Sequence, residues 1–376
     1  MHDATMKTNV ACMRWLLRFG RFDRTLNHNA PVVGLIKRGL CDSSPVAVQE
    51  TSRRVKQYGK LVIDVPWNVE VKPTDPHEYP DMDTLLVNLS TRREIGERND
   101  NEFVSIDVGD DCCRIKASEL GKLNCPGDAL FLVEAPIQYD VDVRTVGDSS
   151  VKVSSMVSDS INVETERGNI TGAKLQGKQI TLKSKNGGSV DLSGGVQGNI
   201  AIATTENGSI TAEKCLGTSL EMTTKNGDVT LGSNYCEIAK FTSVDGNMNL
   251  NNLHMDSTVD ISGKGFLNIT CLDGSLQARL GNGGTKIQLV RLTRKSRIVS
   301  EGPVHLVVPR ENNVQLNLEG HELCVDESLD GTYPRSGNRQ VFETNGEVPL
   351  HVETGGCLRV TSSSWAESLQ LGKFVK

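Results

Sequence analysis

Ten cysteines stand at positions 12, 41, 112, 113, 125, 215, 236, 271, 324 and 357, and no two are spaced Cys-x-x-Cys. A structural zinc knuckle wants that spacing, so zinc is not expected and no metal ligand or cofactor is assigned. Cys112-Cys113 is a vicinal pair preceded by Asp110-Asp111. A redox pair needs thiols of lowered pKa beside positive charge. Two aspartates work against that, so reduced, partly buried thiols are the expected state. Cys215 and Cys236 lie 21 residues apart, about one turn of the repeat that dominates the chain, and are expected to stack in a core. Lys185-Asn186-Gly187-Gly188-Ser189-Val190-Asp191-Leu192 half-matches the Gly-Gly-x-Gly-x-Asp calcium repeat. Val190 replaces the second turn glycine, and one aspartate per turn supplies too few oxygens for calcium.

Carboxylates are the other chemistry to consider, because many β-helix proteins cleave polysaccharides with acids set about 5–9 Å apart on one face. The repeat offers few. Asp191 is the one acid in its column, and Asp228 the one acid in the column Asn169, Ser189, Ser209, Asp228, Asn247. Asp245 has Asp228 and Asp260 as neighbours within reach, although solvated turn acids are far commoner than catalytic ones. The seven histidines are scattered, without His-x-His or His-Glu-x-x-His, and His305, His321 and His351 fall in C-terminal strands. No catalytic residue is assigned and no enzyme is expected. Three or more carboxylates and a basic residue lining one groove would favour the carbohydrate-active alternative.

The elements that carry these residues come from a repeat. A glycine leads a short alternating strand at Gly147, Gly168, Gly188, Gly208, Gly227, Gly246, Gly265, Gly284 and Gly302, at spacings of 18 to 21 residues. Two residues after the second to seventh glycines stand Ile170, Val190, Ile210, Val229, Met248 and Leu267. Two further on are Leu192, Ala212, Leu231, Leu250 and Ile269, with Asp191, Thr211, Thr230, Asn249 and Asn268 between. That period of two describes a strand with one dry face. A second strand precedes each turn, as in Ile180-Thr181-Leu182 and Leu220-Glu221-Met222. Asn-Gly corners alone fit an antiparallel meander. A meander has no reason to keep its period through eight intervals, whereas stacked turns do. The expected fold is therefore all-β, a parallel β-solenoid (β-helix-like) of about 19–21 residues per coil. Its glycines are expected to supply positive φ, and Thr205, Thr224, Ser243 and Ser262 are expected to form outward ladders.

The stretch Ala135-Pro136-Ile137-Gln138-Tyr139-Asp140-Val141-Asp142-Val143-Arg144-Thr145-Val146-Gly147-Asp148 resembles a bacterial putative-adhesin domain. The marks are a Pro-led alternating strand, Thr-x-Gly-Asp and repeated Asn-Gly corners. With its N-terminal segment, the whole chain is similar to the animal family called "family with sequence similarity 185", which carries that domain. The resemblance implies a β-helix-like scaffold in mitochondria and transfers no catalytic residues.

Before Cys41 there are seven basic residues and two acids. Wound as a helix, Trp15, Phe19, Phe22 and Leu26 form one apolar stripe while Arg14, Arg18 and Arg21 take another face. That is the pattern of a mitochondrial presequence, here residues 1–40, which addresses import receptors. The rival is a cytoplasmic protein with an amphipathic N-terminal helix. Residues 41–58 read as a linker, 59–134 as N-terminal β coils or a cap, 135–320 as the repeat and 321–376 as closing strands with a loop. The net charge of −6 and 4% aromatic content argue against nucleic-acid binding, and no apolar run is long enough for an integral membrane span. The expected function is a non-catalytic scaffold or interaction module with a protein partner.

Overall fold

The computed structural model describes residues 46–92, 103–119, 129–204, 206–310, 313–336 and 339–363. The presequence with its targeting residues, Cys12, Cys41, Cys125 and Thr205 lie outside the described residues. The chain divides into two units, Met1–Ser43 and Ser44–Lys376, and the described residues all belong to the second. No helix among the described residues is long and apolar enough to cross a membrane.

The named elements are strands, and neighbouring repeats pair in parallel. Val190 lies beside Ile210, Ile210 beside Val229, Val229 beside Met248 and Met248 beside Leu267. On a second side Ile180, Ile200, Leu220 and Ala239 follow one another in the same way. A shorter third side joins the two, with Lys214–Gly217 against Ser233–Cys236. The strands Val190–Thr204, Ile210–Thr223, Val229–Ser243, Met248–Ile261 and Leu267–Leu280 bend through these sides, their pairing interrupted by irregularities such as those between Leu192 and Gly195 and between Asn234 and Ile238. Alternation then sends every second residue inward. Ile170, Val190, Ile210, Val229, Met248 and Leu267 are all buried, as are Leu192, Ala212, Leu231, Leu250 and Ile269. Each fully buried Leu or Ile contributes roughly 1.5–3 kcal/mol, and the columns make one continuous core.

The turn glycines serve sterics rather than left-handed backbone. Of the nine expected positions, only Gly147 has positive φ, at 65°. The others stack: a Cβ on Gly188 would lie 2.1 Å from Gly168 O, on Gly208 2.3 Å from Gly188 O, and on Gly227 1.9 Å from Gly208 O. Gly246, Gly265, Gly283 and Gly302 continue the column, which begins at Ser149 under Gly168. Gly283, not Gly284, is thus the stacked residue of its turn. Gly284 meets only the ring of Phe266. Positive φ falls instead on neighbours in that corner, Gly187 and Glu206, and at other corners, where Ser155, Lys174, Gly194, Asn252 and Cys271 adopt it in their own coils.

Thr224 and Ser243 face inward, correcting the expected outward ladder. Both are buried and serve the glycine corner: Thr224 Oγ1 donates to Gly208 O at 3.1 Å and accepts from Gly227 N, and Ser243 Oγ accepts from Gly246 N at 2.9 Å. Thr165 and Thr204 donate in the same manner to Gly168 O and Gly208 O, both at 2.7 Å. A corner packed this tightly leaves carbonyls out of reach of water, and a small hydroxyl is what fits beside them. Ser262 is exposed.

At both ends the coils leave chain order. Lys60–Val65 and Asn68–Pro73 lie between Cys112–Ala117 with Leu130–Ala135 on one side and Asp140–Thr145 with Val151–Ser154 on the other. At the C-terminal end Val348–Thr354 and Cys357–Ser363 slot between Ser296–Ser300 with Val304–Pro309 and the outermost Val314–Gly320 with Glu322–Val325. Antiparallel strands then cover open edges: Val104–Val108 on Cys112–Ala117, Thr84–Thr91 on Leu130–Ala135, and Arg339–Glu343 on Val314–Gly320. Covered edges do not template further pairing.

Candidate functional site

A groove of about 1050 Å³ runs along one corner of the coils, from Gly59 and Asp111 to Gly217 and Thr218. It crosses seven successive rungs, about 29 Å at the ~4.8 Å spacing of paired strands. Its cause is a second column of small residues. Ser158, Gly177, Gly198 and Gly217 follow one another, and a Cβ on Gly198 would approach Gly177 O to 2.0 Å, as one on Gly217 would Gly198 O. From Gly177 to Gly217 the line carries no side chain, and the floor there is bare backbone. Flanking residues stand up as walls: Gln176 and Gln197, paired in register, on one side, and Lys178, Asn199 and Thr218 on the other. All five wall residues are exposed.

The groove also gathers Asp111, Asp140 and Asp159 with Lys60 and Lys178. Each carboxylate already has a partner. Asp159 Oδ2 pairs with Lys178 Nζ at 2.7 Å, Asp111 Oδ1 with Lys56 Nζ at 3.0 Å, and Asp140 Oδ1 accepts from Ser160 N at 2.8 Å. Such a surface offers hydrogen-bonding groups at regular intervals to an extended chain.

The carboxylates singled out in the repeat hold backbone. Asp228 Oδ1 accepts from Asn247 N at 2.9 Å and Asp245 Oδ1 from Lys264 N at 2.8 Å. Asn169, Ser189 and Asn247 in turn accept from the backbone N–H of the next coil. This column is a side-chain-to-backbone ladder, and Asp191 is exposed beside it.

Alternation separates the vicinal thiols. Cys113 is buried and hydrogen-bonds with the Tyr139 hydroxyl, while Cys112 lies on the opposite face. Burial pushes the Cys113 thiol up. Cys215 and Cys236 are both core residues, and the described cysteines are free thiols. Burial, with Cys236 adding to it, pushes Cys215 up to about 12, and burial pushes Cys236 up to about 11. His305 Nε2 lies 3.1 Å from Thr361 Oγ1, and burial, with Lys286 and Arg359, pushes its imidazole down. His321 is exposed and His351 half-buried.

Two groupings have no signal in local spacing. One is a surface column of one residue per coil: Lys214 Nζ lies 5.2 Å from the Tyr235 ring centroid, Tyr235 stacks on His254 at 4.7 Å, His254 Nδ1 lies 3.6 Å from Asp273, and Arg291 grips Asp273 at 2.7 and 3.2 Å. Their spacing is close to the coil period, but spacing does not say which side of the coil they occupy. The other unites Glu322, Cys324 and Cys357, whose ligand atoms lie within 4.8 Å of one another. Cys357 is pushed up by burial first, then by Glu322 and Cys324.

Residues 197–354 match a family described as Toastrack DUF4097. Solved structures are similar at low identity. A putative adhesin from Parabacteroides distasonis is 13% identical, with 70% of this chain and 98% of that one covered at a TM-score of 0.42. A putative adhesin from Parabacteroides merdae is 12% identical, covering 83% and 95% at 0.35. A protein described as a putative lipid binding protein, also from Parabacteroides distasonis, is 11% identical, covering 85% and 98% at 0.33.

Proposed function

We propose that this chain is a non-catalytic interaction module, a β-solenoid with coils of about 19–21 residues whose corner groove holds an extended segment of a partner protein. The observation that carries this is the bare floor of Gly177, Gly198 and Gly217 between exposed walls of Gln176, Gln197 and Asn199. With no side chain on its floor the groove lets an extended polypeptide approach the coils closely, and the exposed amides of the walls can donate to and accept from its peptide groups. A photo-crosslinking residue at position 197 tests it, with position 230 on a different side as control. The expected result is a partner captured from position 197, not from 230, and lost in the triple variant Gln176→Ala, Asn199→Ala, Thr218→Ala. Equal capture at both positions, or none, overturns the reading.

A second reading rests on Asp111, Asp140 and Asp159 sharing that groove with Lys60 and Lys178. Such a set suits a glycan-binding or carbohydrate-active β-helix. Screening immobilised polysaccharides distinguishes the two: release of reducing ends that disappears in Asp140→Asn would make this an enzyme.

The likeness to "family with sequence similarity 185" and the mitochondrial address rest on the sequence resemblance and the Arg-rich segment before Cys41. Fusing residues 1–45 to a fluorescent reporter tests the address. Mitochondrial signal supports it, and diffuse cytosolic signal removes both the address and the import receptors as partners.

A further inference from the structure

The Cys-x-x-Cys rule looks for ligands close in sequence, but parallel strands place distant residues side by side. Glu322–Val325 pairs with Cys357–Ser363 so that Glu322 lies opposite Cys357, Leu323 opposite Leu358 and Cys324 opposite Arg359. Leu358 is fully buried and Leu323 packs against the core. With a period of two, Glu322, Cys324 and Cys357 must then share the other face. Glu322 and Cys324 are exposed and Cys357 half-buried, so water and ions reach them. Their ligand atoms already lie within 4.8 Å of one another. Tetrahedral coordination with bonds of about 2.0–2.3 Å needs ligand separations of about 3.3–3.8 Å, a difference that side-chain rotation covers.

We propose that Glu322, Cys324 and Cys357 form a binding site for a zinc-class divalent cation, which clips the outermost strand to its neighbour. The donor set selects the ion: two sulfurs with one carboxylate suit zinc and disfavour calcium or magnesium, which take oxygen alone. Two thiolates and a carboxylate carry one negative charge more than a divalent ion neutralises. Arg359, in register with Cys324, stands where it compensates the excess. The fourth position belongs to water. The other adjacent thiols make no rival site, because Cys113 is buried and Cys112 points away from it. The position gives the clip a purpose. Glu322–Val325 is a four-residue edge strand belonging to the coil displaced in spatial order, and its side-to-side contact is with Cys357–Ser363. An ion there joins residues from both of the reordered coils.

The test uses the full chain, reduced with a phosphine and freed of metal. Cobalt(II) serves as optical probe and zinc as competitor. The expected result is one equivalent bound per chain with a sulfur-to-cobalt charge-transfer band, displaced by zinc, and a rise in melting temperature with zinc. Cys324→Ser and Cys357→Ser each abolish the band and the rise. Glu322→Gln keeps both thiols and weakens zinc binding by about tenfold or more. Unchanged circular dichroism without metal shows that each variant folds. Should a serine variant unfold, the Glu322→Gln affinity decides alone. Absence of the band in the parent chain overturns the proposal. So does a band that persists in both serine variants, or zinc affinity unchanged in Glu322→Gln.

Discussion

Between residues 140 and 309 each coil lies on the one that precedes it in the chain; at either end, coils are stacked out of order. In the middle, Val190, Ile210, Val229, Met248 and Leu267 form one inward line because every coil repeats the same alternation. The ends keep the alternation, and Leu61, Ile63, Leu350 and Val352 are equally buried. Their neighbours in space are nevertheless far away in the chain, with Lys60 beside Cys112 and Ser296 beside Leu350. Local pattern decides which residues face inward. It does not decide which coil comes next, because any coil with the same dry face fits.

Three experiments press on that difference. The largest effect is expected in the glycine column. Gly227→Ala puts a Cβ 1.9 Å from a backbone carbonyl that is itself fixed in a ladder, and should destabilise by about 3 kcal/mol or more. Gly284→Ala in the same region meets only the exposed Phe266 ring and should cost less than about 1 kcal/mol. Chemical denaturation of the two variants separates a stacked glycine from a neighbour that merely repeats at the same interval; equal costs would dissolve the distinction.

Core truncation is next. Leu231→Ala, in the ordered middle, should cost about 2–4 kcal/mol, and Leu323→Ala, on the outermost strand, less than about 1.5 kcal/mol. If the outer leucine costs as much, the ends are as firmly packed as the middle.

The third effect is set by pH and contrasts interior with terminal thiols. Cys215 and Cys236 are raised to about 12 and about 11 from an ordinary thiol value of 9.0. The unfolded chain therefore loses these protons first on the alkaline side. Their contribution is fully present below pH 9 and is lost as pH rises through the folded values. The expected fall above about pH 9 is about 1.4 kcal/mol per pH unit for each thiol. Denaturation midpoints between about pH 8 and pH 10 check it, and Cys215→Ala with Cys236→Ala should flatten the slope. Alkylation of the native chain should meanwhile mark Cys324 and spare Cys215 and Cys236.

Much of this architecture is legible residue by residue. Period-two alternation identifies the inner columns from Ile170 to Leu267, and constancy of interval favours stacking over hairpins. Finer assignments fail where two readings share a period. Gly283 and Gly284 are adjacent, and only the carbonyl of Gly265 beneath shows which of them must lack a side chain. Thr224 and Ser243 look like surface ladder residues by composition, but the tight corner turns them inward to its carbonyls. Positive φ falls on Ser155, Lys174 and Cys271, whose side chains give no hint of it, and on Asn252, of the residue type that tolerates it best after glycine. The groove is hidden because Gly177, Gly198 and Gly217 form a second column, offset from the first. The Glu322, Cys324 and Cys357 grouping depends on the displaced final coils, which no local interval encodes.

A coil order that differs from residue order also sets a timetable for synthesis. A chain emerging from the ribosome N-terminus first can lay down its middle coils one upon another as they appear. Residues 314–325 cannot take their final place in that way, since the strands they rest on, Val348–Thr354 and Cys357–Ser363, are made later. That coil must wait, with Leu316 and Leu318 still to be covered, until the later strands have slid in beneath it. The early end waits too, because Lys60–Val65 is flanked by strands that begin at residues 112 and 140. The molecule grows from its centre outward, and a stop codon placed just before Val348 would remove not the last layer but the one beneath it.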